Sequence, residues 1–325
     1  MAAPLLFPVR VRQIAVWELA AVAVLTAFGF DDVPHPLRIA VASVAAVAVL
    51  ATSIRIGGAH FAGWAAAWLG YRFGRRDEPL TGDVEIREHV DRAGNRFGVA
   101  RAGDGWSCVI RLAGTASASP AALRDGVLEA FRRPEIPLAS AQVLVWTVPG
   151  PDGGAPLRVR WLAVRYRPEA EPLAATARGG GELGAMRATV SAALRIVGGF
   201  ANSGWESAVL DAAELEEDLR VALGARDGEV ADNWRAWRSG DLTQTCHAPL
   251  GRQDSARVLD GYADGAAFTA TSLLVHRDPG GHERITTTIR IGATGHDAHA
   301  LPFRTRPLHG RHAAHVRLSL PLALS

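Results

Sequence analysis

The sequence predicts a two-helix transmembrane hairpin followed by a cytosolic α+β domain, and three observations carry that reading. Of 325 residues, 48% are hydrophobic and the mean hydropathy is +0.08, but the apolar excess lies almost wholly before Arg76. Two apolar runs stand in that stretch, residues 14–30 and 37–54, parted by a segment rich in Asp and Pro. From Asp83 onward, short alternating stretches mix with longer ones of helical period, the pattern of a mixed globular domain large enough for its own core.

Each apolar run has about the length needed to cross a ~30 Å hydrocarbon core at about 1.5 Å per residue. Asp31, Asp32, Pro34 and Pro36 stop the first helix and turn the chain. No small-residue cleavage site precedes this acidic loop and a second run follows at once, which argues against a signal peptide. Arg10 and Arg12 precede the first run; Arg55, Arg72, Arg75 and Arg76 follow the second. This asymmetry predicts a multi-pass protein of the cell membrane with both termini and the soluble domain in the cytoplasm. Glu18 then falls in the first turn of its helix, near the cytoplasmic headgroups. Between residues 56 and 76, Phe61, Trp64, Trp68 and Tyr71 recur at helical spacing, with Arg72, Arg75 and Arg76 behind them. Aromatics at headgroup level and arginines toward anionic lipid predict an interfacial helix. The domains expected are therefore 1–76 and 77–325.

In the second domain the residues predict a meander of strands at 84–89, 96–100 and 106–112, with turns at Gly94-Asn95 and Gly103-Asp104-Gly105. Pro120 opens a helix to residue 131. Strands 143–148 and 157–167 flank a turn at 149–154. A loop ending in Arg178-Gly179-Gly180-Gly181 precedes a helix over 182–201, whose apolar stripe reads as Leu183, Met186, Val190, Leu194 and Val197. A strand at 205–210 leads to Asp211, which caps an acidic helix to residue 223. Further strands are expected at 230–237, 267–276, 284–291 and 312–320.

Net charge is only +2, so composition supports no nucleic-acid partner. All 35 basic residues are arginine. Cys108 and Cys246 are too few for a disulfide framework or a zinc site and read as buried thiols.

Residues 96–215 resemble EccE, a membrane component of the type VII (ESX) secretion systems of actinobacteria. The hairpin with its aromatic, arginine-rich follower comes first. Phe97-Gly98-Val99-Ala100, running through Asp104-Gly105 into an apolar strand, resembles the opening signature of the family domain. Arg178-Gly179-Gly180-Gly181, Gly184, Arg187-Ala188, Arg195 and Gly204 follow, and Leu210-Asp211-Ala212-Ala213-Glu214-Leu215 resembles its closing segment. Beyond residue 225 the likeness is general only. The resemblance implies a structural subunit with a degenerate glycosyltransferase-like α/β layout and no known catalysis, assembled with EccB-, EccC- and EccD-like components, the EccC type being the motor ATPase.

Several motifs carry a possible chemistry. Gly179-x-Gly181-x-x-Gly184 spells a dinucleotide fingerprint, but no strand ends directly before it. A packing loop is the simpler reading, with Arg178, Gly179, Gly181 and Gly184 as an anion site the alternative. Eight of 11 histidines follow residue 240, and His296-x-x-His299 and His312-x-x-His315 have spacings that suit a metal on a helix. Neither pair has an obvious third ligand, so no metal is expected. A glycosyltransferase of this layout needs an Asp-x-Asp; the nearest approaches are Asp83-x-Glu85 and Asp227-x-Glu229. The chain has no lysine for a Walker motif and no Gly-x-Ser-x-Gly. Trp234 and Trp237 beside Arg235 and Arg238 read as one aromatic face of a sheet. The residues thus predict a structural, interacting membrane subunit that is not an enzyme and holds no cofactor. A membrane-tethered transferase acting on lipid-linked or nucleotide-sugar substrates is the alternative, and a ligand sensor using the glycine loop a third.

Overall fold

The computed structural model describes residues 11–30, 32–56, 59–73, 84–114, 119–133, 135–201, 205–225, 229–251, 253–278, 280–295 and 300–325. The chain divides into two compact units, Met1–Gly74 and Arg75–Ser325.

The first unit holds α1 (Val11–Gly29), α2 (His35–Ser53), a two-stranded ribbon of β1 (Arg55–Ile56) and β2 (Ala59–His60), and α3 (Phe61–Phe73). Pro36 sits in the first turn of α2, where its missing N–H costs no hydrogen bond. Helices α1 and α2 meet through small residues: Ala27 and Ala45 are buried there, which lets the backbones approach closely. Gln13 Nε2 donates to the Thr52 carbonyl at 2.7 Å and Trp17 Nε1 to Thr52 Oγ1 at 3.1 Å. Arg38 donates to the carbonyls of Phe30 and Val33 across the connection. The larger apolar side chains, among them Leu19, Leu25, Phe28, Val44, Val47 and Leu50, face outward. Among the described residues one helix, His35–Ser53, is long and apolar enough to cross a membrane; the apolar part of α1, Gln13–Gly29, is shorter.

The second unit runs β3 (Val84–Val90), β4 (Arg96–Ala102), β5 (Gly105–Gly114), α4 (Pro120–Arg132), β6 (Ser140–Val148), β7 (Leu157–Tyr166), α5 (Pro172–Thr176), α6 (Gly181–Ala201), β8 (Trp205–Val209), α7 (Ala212–Leu223), β9 (Val230–Asp232), β10 (Trp237–Ser239), β11 (Leu242–Pro249), α8 (Ser255–Leu259), β12 (Phe268–Arg277), β13 (Glu283–Thr294), β14 (Thr305–Pro307) and α9 (His312–Leu318). Twelve strands form one sheet, ordered β3-β4-β5-β7-β6-β12-β13-β11-β10-β9, with β8 on β5 and β14 on β11. Every strand pairing among the described residues is antiparallel. The parallel α/β layout of a glycosyltransferase is not what these strands build.

One edge of β5 is shared. Its first half pairs with β4 and its second half with β8. The exchange happens at Gly98, whose N–H donates to the Leu210 carbonyl at 2.7 Å. A Cβ at Gly98 would run into the Asp211 backbone, so the glycine of the Phe97–Ala100 motif is there to let the chain pass. Helices α4, α6 and α8 cover one face, closing a core that includes Phe131, Leu162, Ile196 and Leu273. The other face carries α7 and the segment 320–324, packed on Leu144, Trp146, Trp161 and Phe268. Buried polar side chains of the sheet hold that segment's backbone: Ser107 Oγ donates to the Leu322 carbonyl at 2.7 Å, Ser140 Oγ to Ala323, and Gln142 Oε1 accepts from the Ala323 N–H at 2.7 Å.

Several sequence expectations change. Residues 312–320 form helix α9 with a following turn, not a strand; His312 and Val316, one turn apart, are its buried residues. Residues 230–237 are not one strand: β9 and β10 flank a bend that holds Trp234. Trp237 alone is in the sheet and buried, while Trp234 stacks on His309 with ring centroids 6.0 Å apart. In α6 the predicted stripe is partly borne out: Val190 is in the core and Met186 and Val197 pack against it, but Leu183 and Leu194 are exposed, and Ala185, Ala188, Ala193, Ile196 and Phe200 complete the buried face. A helix lying this close to a sheet has room for alanine where the periodicity of large residues suggested leucine.

Candidate functional site

Helix α5 ends and α6 begins across the glycine loop. Gly179, Gly180 and Gly181 have φ of +106°, +69° and +58°, three consecutive left-handed residues that only glycine adopts freely. Two of the loop's amides are satisfied locally: Gly179 N–H donates to the Thr176 carbonyl at 3.2 Å and Gly180 N–H to that of Ala175 at 2.9 Å. These bonds close the C-terminal end of α5. Arg178 Nη1 folds back onto the Ala174 carbonyl at 2.9 Å, and Arg187 Nη1 reaches the Arg178 carbonyl at 3.1 Å. Gly184 presses on α5, and a Cβ there would overlap the Ala175 carbonyl oxygen. Gly184→Val should therefore cost about 1–3 kcal/mol by overpacking, read as a lowered urea midpoint. Wild-type stability in that variant would contradict a packing role.

The first turn of α6 already carries a carboxylate. Glu182 reaches Arg101 and Arg87, each at 2.5 Å, tying the helix to β4 and β3. A negative charge at a helix start is favoured by the backbone dipoles. Both arginines also lie over the Trp106 ring, at 5.7 and 5.5 Å. A cleft of about 400 Å³ opens beside them, lined in part by Trp106, Glu169, Thr176 and Gly181. Its Asp104 pairs with Arg165 and Arg167 at 3.3 and 3.2 Å. Arg101, Glu182 and Asp104 at this cleft thus have partners within the fold. Sequence reading missed Glu182, although its place directly after the glycines at a helix start marks it.

Of the residues expected at a membrane interface, α3 carries Phe61, Trp64, Trp68, Tyr71 and Arg72. Phe61 and Trp64 stack with centroids 6.1 Å apart. Phe61, Trp68 and Arg72 are exposed, and Trp64 and Tyr71 half-buried. Arg75 and Arg76 lie outside the described residues, as do Arg10, Asp83, Gly204, Asp227, His296 and His299.

His247, His312 and His315 pack within the domain. His312 Nδ1 accepts the Cys246 N–H at 2.9 Å, and its ring meets His309 edge to face at 5.9 Å. Burial, with the neighbouring histidines adding to it, pushes His312 down to about 3; burial takes His247 and His315 to about 4. At neutral pH they are uncharged packing groups. Among the described residues no group of three or more His, Cys, Asp or Glu is placed to hold a metal ion. Cys108 and Cys246 are free and buried, which lifts both thiols to about 12.

Two buried charge networks went unread in the sequence. Asp218 of α7 accepts from Arg111 Nε and Nη2, at 2.9 and 2.7 Å, and from Trp161 Nε1 at 2.7 Å. Arg290 of β13 is fully buried and donates to the carbonyls of Ala222 and Leu223 and to Gln244 Oε1. Its guanidinium lies 5.6 and 5.5 Å from the Trp146 and Phe268 ring centroids.

The comparisons with known proteins bear on the same region. No curated protein matches this chain. The family described as "Putative type VII ESX secretion system translocon, EccE" matches residues 155–248. That span takes in β7, the glycine loop, α6, β8 and α7 and runs on through β11. It begins later than the stretch 96–215 that the motifs suggested, and it extends past residue 225, where the likeness had seemed only general. On this match, residues 155–248 are similar to the EccE family of type VII secretion.

Proposed function

We propose that this protein is a membrane-anchored structural subunit of a type VII secretion complex. The observation that carries the reading is the EccE-family match over residues 155–248. Helices α1 and α2 cross the membrane as a hairpin, and α3 lies at the cytoplasmic headgroups. The outward apolar side chains of α1 and α2 and the small-residue seam between them support this. So does the arginine asymmetry, which sets both termini in the cytoplasm. The soluble domain, residues 77–325, is a contact surface for EccB-, EccC- and EccD-like components. The glycine loop is architectural: the amides of Gly179 and Gly180 and Arg178 Nη1 are bonded within the fold. Anchoring in a shared membrane raises the effective concentration of each partner, so modest interfaces suffice.

The anchoring is tested by introducing Val33→Cys or Ser325→Cys and applying an impermeant thiol reagent to intact cells stripped of outer barriers. The expected result is labelling at position 33 at once and at position 325 only after permeabilisation. The native thiols are both buried and stay silent. Labelling at 325 and not at 33 in intact cells would invert the topology.

A further inference from the structure

We propose that the small cavity between β7, α4 and α8 binds a phosphate group that carries a proton. The cavity has a volume of about 100 Å³. Arg158 and Arg160 of β7 and Asp260 at the end of α8 form its polar wall, and Leu123, Val145 and Leu259 its apolar one. Two guanidinium groups thus face one carboxylate. Arg158 Nη2 meets Asp260 Oδ1 at 3.2 Å, yet its buried Nε has no partner. Arg160 has no carboxylate within 4.0 Å among the described residues, and its guanidinium lies 5.7 Å from the Trp205 ring centroid. Burial weakens the hold of Arg160 on its proton, the Arg158 charge adds to that, and Asp260 opposes it. Trp205 Nε1, on β8, is a further buried polar atom without a hydrogen-bond partner.

Buried polar groups are ordinarily paired. Here Arg158 Nε is not, in a cavity lined by two arginines, whose planar forks match the oxygens of a tetrahedral oxyanion. The volume admits one phosphate group and no nucleoside. Asp260 selects further: its carboxylate repels a fully ionised anion but accepts a hydrogen bond from a protonated phosphate oxygen. Two arginines, one aspartate and a singly charged phosphate sum to zero. Sulfate has no proton to offer and is excluded. The phosphate is either free inorganic phosphate or the end of a small monoester.

The test uses the full chain in detergent, with inorganic phosphate, glycerol 3-phosphate and sulfate at matched ionic strength and slightly acidic pH. Binding is read by calorimetry and by thermal unfolding. A saturable rise in Tm with either phosphate is expected, and the one that binds identifies the source. Sulfate should bind at least about tenfold more weakly, and Arg160→Gln should lose at least about tenfold in phosphate affinity. Without phosphate, Arg160→Gln should unfold at the wild-type temperature or above it, where loss of a merely structural arginine would lower it. Asp260→Asn should erase the preference for phosphate over sulfate. If Arg160→Gln does not fold, Arg158→Gln takes its place, with phosphorus NMR line broadening of inorganic phosphate as the readout. No saturable effect of either phosphate, or equal binding by wild type and the arginine variants, would overturn the site; equal binding of sulfate would overturn the protonated ligand.

Discussion

Arg290→Ala should destabilise the soluble unit by about 3–5 kcal/mol, the largest effect expected of any single substitution here. The guanidinium fills the space between Trp146 and Phe268 and donates to the last carbonyls of α7, which the helix itself leaves without partners. Burial pushes Arg290 down to about 10, so it remains charged at neutral pH and its positive charge meets the negative end of the α7 dipole. Alanine leaves a cavity beside two aromatic rings and strands the Ala222 carbonyl and Gln244 Oε1, while the Leu223 carbonyl keeps its bond from Gln244 Nε2. Gly224 closes the same end of α7 in a left-handed conformation, where a Cβ would strike Phe268 and Trp146. Urea unfolding followed by tryptophan fluorescence measures the cost; a loss below about 1 kcal/mol would show that the fold does not rest on this contact.

Asp218→Ala should cost about 2–4 kcal/mol. The carboxylate is nearly buried, with 9% of the side chain exposed, whereas Arg111 is 41% exposed. Losing Asp218 lets Arg111 turn to water, so that half of the penalty is small. Trp161 has no such escape: it is fully buried, and its N–H would stay unpaired in the core. Asp218→Asn keeps an acceptor for Trp161 and should cost less than the alanine change. A cycle with Trp161→Phe should give a coupling of about 1 kcal/mol or more. Additive effects would mean that the bond to Trp161 contributes nothing.

The local devices of this fold were readable from the sequence. Asp211 and Glu214 form the capping box that starts α7, Ser119 and Pro120 start α4, and the hairpins β3–β4 and β6–β7 follow from their turns and alternation. What the sequence hid is long-range pairing. Strand β12 sets Phe268–Arg277 between β6 and β13 and so joins both halves of the domain in one sheet, and no local pattern specifies a partner more than a hundred residues away. Short apolar runs were ambiguous for the same reason: 312–320 alternates like a strand but buries His312 and Val316 at helical spacing. Arg290 and Asp218 looked like surface charges because burial of a charge depends on what packs over it. The one sequence sign was Arg290 lying between Ile289 and Ile291. At the glycine loop, residue types correctly marked a special backbone. Whether its amides faced a ligand or the preceding helix depended on α5, a five-residue helix too short to read beforehand.

Membership in a membrane secretion complex is tested by affinity purification of the whole chain in mild detergent. The cells must also make the EccB-, EccC- and EccD-like components. The protein should elute in a particle far larger than its own 34.4 kDa, with those components identified beside it by mass spectrometry. Recovery as a free monomer from such cells, with none of them bound, would contradict it.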